Sequence, residues 1–200
     1  TTSSWDGSTN VYPFGESNTA TYGQTFTVGS ETVLDTFSFF VDDNDHLVGS
    51  DFVDFEAYVY AWDGAKASGS ALFSSGPNAT TNNGGLGGFE KIEIETGGLT
   101  LATGAEYVAF FSASNLFDGV AGTSIWGYLG DVYDGGHFVY QNNGADFDAL
   151  TTSAWTQRPG DDLAFEMEFS TTAAVPEPGT LGLIGASLLG LGAMRRRRGA

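Results

Sequence analysis

Apolar and polar residues alternate with a period of two in several stretches of this chain. Ile92 and Ile94 alternate with Lys91, Glu93 and Glu95, and Leu163, Phe165, Met167 and Phe169 alternate with Asp162, Ala164, Glu166 and Glu168. A strand with one face in a core and the other in water has this pattern. Residues 33–41, 107–112 and 138–141 are apolar on both faces, which predicts central strands. Residues 52–62 form a longer run, with Val53, Phe55, Ala57, Val59 and Ala61 on one side and Tyr58, Tyr60 and Trp62 on the other. Turn chemistry separates these runs at Val28-Gly-Ser, Trp62-Asp-Gly, Asn82-Asn-Gly-Gly, Thr96-Gly-Gly, Asp134-Gly-Gly and Asn142-Asn-Gly. The spacing predicts an all-β fold of roughly seven to nine antiparallel strands in a jelly-roll-like β-sandwich. Two Trp-Asp-Gly triplets, at Trp5 and Trp62, are too few and too far apart to be a propeller repeat.

The pattern changes at Val175. Val175, Pro176, Glu177 and Pro178 are followed by an uncharged apolar stretch from Thr180 to Met194, and then by Arg195, Arg196, Arg197 and Arg198. The prolines keep helix from running back into the domain. As a single C-terminal helix, the 15 residues from Thr180 to Met194 would span about 22 Å, less than the ~30 Å hydrocarbon core of a bilayer. The arginines would hold the far end in the cytoplasm, their side chains reaching the headgroups. A membrane anchor and a buried helix are the plain alternatives, and four consecutive arginines count against the second. Gly182, Ala186 and Gly190 have the small-residue spacing of paired membrane helices, which Gly abundance alone also produces. The chain thus divides into a β domain, residues 1–173, and a tail, residues 174–200.

Together the Pro-Glu-Pro, the Gly-rich apolar segment and the terminal arginines resemble the PEP-CTERM sorting signal of Gram-negative bacteria that make exopolysaccharide. The resemblance covers about 25 residues, with all three parts in order. It implies a protein sorted by an exosortase, a membrane transpeptidase, with cleavage near Pro176-Glu177-Pro178. The tail would cross the inner membrane only transiently, and the domain would pass to the cell surface or extracellular matrix and contribute to biofilm structure. No Leu-Pro-x-Thr-Gly pattern of a Gram-positive sortase substrate is present. Residues 23–28, 34–40, 57–64 and 162–165 more loosely resemble the ectodomains found ahead of such tails. The chain starts at Thr1 without Met, and an exported protein of this kind is expected to have lost a signal peptide.

Charge sharpens the picture. Residues 1–175 carry 24 of the 25 acids and three of the seven bases, a net 3 − 24 = −21. Such a surface repels nucleic acid and attracts divalent cations or basic partners. Cysteine is absent, so neither disulfides nor thiol chemistry is available. The densest oxygen-ligand cluster is Asp42, Asp43, Asn44 and Asp45, with Asp51 nearby and His46 adjoining. Calcium takes six to eight hard oxygens, which makes this a candidate calcium loop, although the spacing is not that of an EF-hand. A solvated acidic loop is the alternative.

Tyr58, Tyr60 and Trp62, spaced i, i+2, i+4, would line one face of a strand, and Trp126 with Tyr128 forms a second pair. Flat aromatic rows bind sugar rings, so these residues are candidates for a carbohydrate platform, or else for ordinary core. Enzyme readings find little support. His46 and His137 each stand alone in sequence, and no Gly-x-Ser-x-Gly, His-Glu-x-x-His or phosphate loop occurs. A carboxylate pair for glycoside cleavage would be easy to find by accident on so acidic a surface. The reading is a non-catalytic surface or matrix protein, with a lectin-like carbohydrate-binding module as the alternative and a glycan-active enzyme as the third.

Overall fold

The computed structural model describes residues 1–16, 18–43 and 52–171. Its strands are β1 (Asn10–Phe14), β2 (Thr21–Thr27), β3 (Val33–Asp42), β4 (Asp54–Trp62), β5 (Ala67–Ala79) and β6 (Glu90–Thr100). They continue with β7 (Glu106–Ser112), β8 (Ser124–Gly130), β9 (Phe138–Gln141), β10 (Thr156–Arg158), β11 (Asp161–Leu163) and β12 (Phe165–Ser170). One antiparallel sheet runs β1-β8-β3-β12, with β6 also on β3 and β11 on β8; the other runs β10-β9-β2-β7-β4-β5. The expected antiparallel β-sandwich is therefore present, with more and shorter strands than the turn signals suggest.

Alternation places the core. In β7, Tyr107, Ala109 and Phe111 face the other sheet, while Val108 and Phe110 face away from it. Phe111 stacks on Phe55 at 4.3 Å and meets Phe39 and Trp126 edge-on at 5.1 Å and 5.3 Å. Aromatic pairs at these separations contribute beyond their buried area. This inter-sheet layer is nearly all aliphatic and aromatic, which is why the fold needs no disulfide.

Two local departures follow from backbone chemistry. Thr96-Gly-Gly does not end a strand: β6 runs through it, with a register irregularity opposite Leu34–Thr36. Gly97 and Gly98 supply the positive φ of that bulge, where a β-carbon would be strained. The alternation from Leu163 to Phe169 is broken by a bend at Ala164, whose N–H donates to Gly127 O at 2.8 Å. One short segment therefore pairs with β8 and then with β3.

A buried polar junction fixes that bend. Asp162 is fully buried; its carboxylate accepts Gln24 Nε2 at 2.8 Å and the N–H groups of Val132 and Tyr133 at 2.9 and 2.8 Å. Gln24 Oε1 in turn accepts the Leu163 N–H at 3.0 Å. Every group is paired, as a buried polar network requires.

Candidate functional site

The outward face of the second sheet carries the predicted aromatic row. Tyr58, Tyr60 and Trp62 do lie on one side of β4, with Val108, Phe110, Val139 and Ala67 beside them. That face is covered. The segment after β9, with one helical turn at Ala149–Thr152, lays Phe147, Leu150 and Trp155 over it. Trp155 meets Trp62 edge-on at 5.7 Å and Phe110 at 5.3 Å, and Phe147 lies 4.9 Å from Tyr58. Exposure falls to 6, 6 and 7 % for Tyr58, Tyr60 and Trp62. Burial pushes the phenol pKa values of Tyr58 and Tyr60 above the usual range. The three rings form a second hydrophobic core.

The cover is pinned by polar contacts at both ends. Trp155 donates its backbone N–H to Ala65 O at 2.9 Å and its indole N–H to Leu150 O at 2.8 Å. Asn143 Nδ2 donates to Ser114 Oγ at 2.6 Å, while its Oδ1 accepts Thr21 Oγ1 at 3.0 Å. The sequence held a signal for this: Phe147, Leu150 and Trp155 are isolated apolar residues in an otherwise polar stretch. Trp126, from the second predicted pair, is 1 % exposed and sits in the inter-sheet core against Phe14 and Phe39. Tyr128 is half-buried on the same inward side, edge-on to Phe138 at 6.1 Å.

Of the acidic cluster, Asp42 and Asp43 are described; Asn44, Asp45, His46 and Asp51 lie outside the described residues. Asp42 ends β3 opposite Ile125. Asp43 turns inward, 8 % exposed, and its Oδ2 accepts the Asn82 N–H at 2.8 Å. Its Oδ1 is buried and has no hydrogen-bond partner among the described residues. Desolvation raises the Asp43 carboxyl to about 6, opposed in part by hydrogen bonds from Thr80 and Asn82. The turn that supplies the Asn82 N–H holds Asn82 and Asn83 at φ of 50° and 53°, a region that asparagine tolerates better than most residues. Thr81 donates both its N–H, at 2.6 Å, and its hydroxyl to Glu90. Sequence alone gave no sign that residues 80–90 would join Asp43. Among the described residues no three His, Asp or Glu side chains converge to hold a metal ion.

His137, just before β9, meets Gln157 of β10 at 3.0 Å, a structural contact. Lys91 bridges Glu93 and Glu166, each at 2.7 Å, on the outer face of the first sheet. Hydrogen bonds to Glu166 and then Glu93 hold its pKa above the usual lysine range.

Among the described residues these features define an acidic, all-β domain whose aromatic faces are closed. Residues 174–198 match the family model for the PEP-CTERM protein-sorting motif. The chain carries that motif, which implies exosortase-dependent sorting of an exported protein and transient membrane anchoring by the tail. Neither a curated protein nor a solved structure matches the chain. Val175, Pro176, Glu177, Pro178 and Arg195 to Arg198, which carry the motif, lie outside the described residues, as does the expected C-terminal helix. No helix among the described residues is long and apolar enough to cross a membrane.

Proposed function

We propose that the domain is a non-catalytic module delivered to the cell surface or extracellular matrix, where it associates with exopolysaccharide through divalent cations such as calcium. The sorting motif at residues 174–198 carries the reading, because it implies export of the domain. The supporting physics is charge. A domain of net −21 attracts divalent cations, which can bridge it to acidic polysaccharide or to other copies. The absence of paired nucleophile and base motifs in the sequence supports a module that does no chemistry.

The carbohydrate-binding alternative would need an open aromatic surface, and the Tyr58, Tyr60 and Trp62 face is occupied by Phe147, Leu150 and Trp155. Cation bridging is the better-supported route to a polysaccharide. Co-sedimentation of residues 1–174 with the host's own exopolysaccharide, with calcium or with EDTA, tests it. Calcium-dependent pelleting is the expected outcome. Equal pelleting in both conditions, or none in either, contradicts it.

A further inference from the structure

Strand β12 pairs with β3 along one edge, and among the described residues nothing pairs with its other edge beyond Phe165. The Phe165 N–H donates to Thr1 Oγ1 at 2.8 Å, and its carbonyl accepts the Thr1 nitrogen at 3.0 Å. Both groups therefore point away from β3. Every second residue of a strand repeats that direction, which turns the N–H and C=O of Met167 and Phe169 to the same edge. The register irregularity between Glu168 and Phe169 puts its extra residue, Asp35, on β3 and leaves β12 regular. Beside this edge lies a groove of about 520 Å³, lined by the half-buried side chains of Met167, Phe169 and Tyr133 and by Glu31 and Glu166.

The other sheet edges carry devices that discourage pairing. Strand β1 contains Pro13, β10 has 3 residues, β5 is bulged against β4, and β6 alternates Lys91, Glu93 and Glu95. Strand β12 has only Glu166 and Glu168 on its outer face, between the core-facing Phe165, Met167 and Phe169. Those two acids select the occupant. A second copy of this strand would bring carboxylates against carboxylates, which destabilises a pair, whereas Lys or Arg at the same positions stabilises it. Glu168 is exposed and in no ion pair among the described residues. Glu166 is met by Lys91 alone, at 2.7 Å.

We infer that the open edge of β12 takes an extended strand from another protein, in which apolar residues alternate with Lys or Arg. Its apolar side chains enter the groove beside Met167 and Phe169, and its basic side chains lie over Glu166 and Glu168. The N–H and C=O groups of Met167 and Phe169 supply the ladder, as in other cases where a peptide extends a sheet. This surface is independent of cation bridging and stands if that reading falls.

The probe is a fluorescein-labelled, amidated Val-Lys-Val-Lys-Val-Lys-Val peptide, added to the full chain in neutral detergent micelles at about 0.15 M salt. Anisotropy reads binding, and amide hydrogen exchange reads its place. Binding should slow exchange at Met167 and Phe169 by about tenfold or more, and leave Glu166 and Glu168, whose amides face β3, as they were. The same peptide N-methylated at its valines keeps its charge, loses the ladder bonds, and should bind about tenfold more weakly. Glu168→Lys, at an exposed position, should weaken the lysine peptide about fivefold or more and strengthen the Val-Glu counterpart. Equal binding of the N-methylated peptide, or binding without protection at Met167 and Phe169, assigns the contact to the domain's general negative charge and overturns the site. Protection of those amides that grows with chain concentration in the absence of peptide makes a second copy the occupant and overturns the basic partner. No binding at all overturns both.

Discussion

Replacing Trp62 by alanine separates a buried aromatic layer from a sugar platform. Trp62 is 7 % exposed and packs edge-on against Trp155, itself 4 % exposed. A buried tryptophan removes about 200 Å² from water, worth ~5 kcal/mol at about 25 cal/mol/Å². A compact unfolded state lowers this by roughly a quarter, to ~4 kcal/mol, inside the 3–5 kcal/mol range of Trp→Ala substitutions. For a domain of this size each kcal/mol shifts Tm by about 2–4 °C, so the substitution should lower Tm by ~10 °C. Thermal unfolding of residues 1–174, followed by near-UV circular dichroism, reads this directly. The variant should also lose the near-UV signal of the Trp62–Trp155 pair. A Tm within about 2 °C of the parent, which is under ~1 kcal/mol, together with lost polysaccharide binding, would refute the account and restore the platform.

Three other outcomes follow from the same geometry. The Asp43 carboxyl titrates at about 6 in the fold against an ordinary 3.8. The folded state therefore holds the proton more tightly, and stability should fall as pH rises from about 4 to 6, by up to ~3 kcal/mol. Asp43→Asn should flatten that slope in pH-dependent urea unfolding; an unchanged slope would assign the effect to other groups. Asp162→Leu strands the Gln24 amide and two backbone N–H groups, costing about 3 kcal/mol or more, and a loss under ~1 kcal/mol in denaturant unfolding would count against the junction. A β-carbon on Gly136 would lie 1.9 Å from Thr25 O. Gly136→Ala should therefore cost about 1–3 kcal/mol, and a variant as stable as the parent would show that β2 and β9 can part without penalty.

The strands most visible in the sequence were those with one wet face or two apolar ones. A run apolar on both faces located β7, the longer run 52–62 located β4 with both its faces assigned correctly, and alternation located β12 while missing the bend at Ala164. Strand β5, with its Ser and Gly residues and two glycines at positive φ, lacks periodicity because it is a sheet edge exposed on much of both faces. What strand periodicity cannot say is what lies on an outward face. Tyr58, Tyr60 and Trp62 read equally well as platform or core, and the answer came from Phe147, Leu150 and Trp155, 85 to 93 residues later (147 − 62 and 155 − 62). The Asp43–Asn82 contact was illegible for a related reason: 39 residues separate the partners, and only the backbone of Asn82 takes part. The sorting motif was legible because its chemistry is linear, a rigid break followed by an apolar run and a block of positive charge.

The central claim, that this acidic sandwich is delivered through its PEP-CTERM tail, is tested most directly by intact-mass analysis of the surface-exposed protein from a producing host and from an exosortase-deficient strain. The account predicts a chain ending near Pro176-Glu177-Pro178 in the first, and retention of Arg195 to Arg198 in the second. Chains with an identical C-terminus in both strains would contradict it.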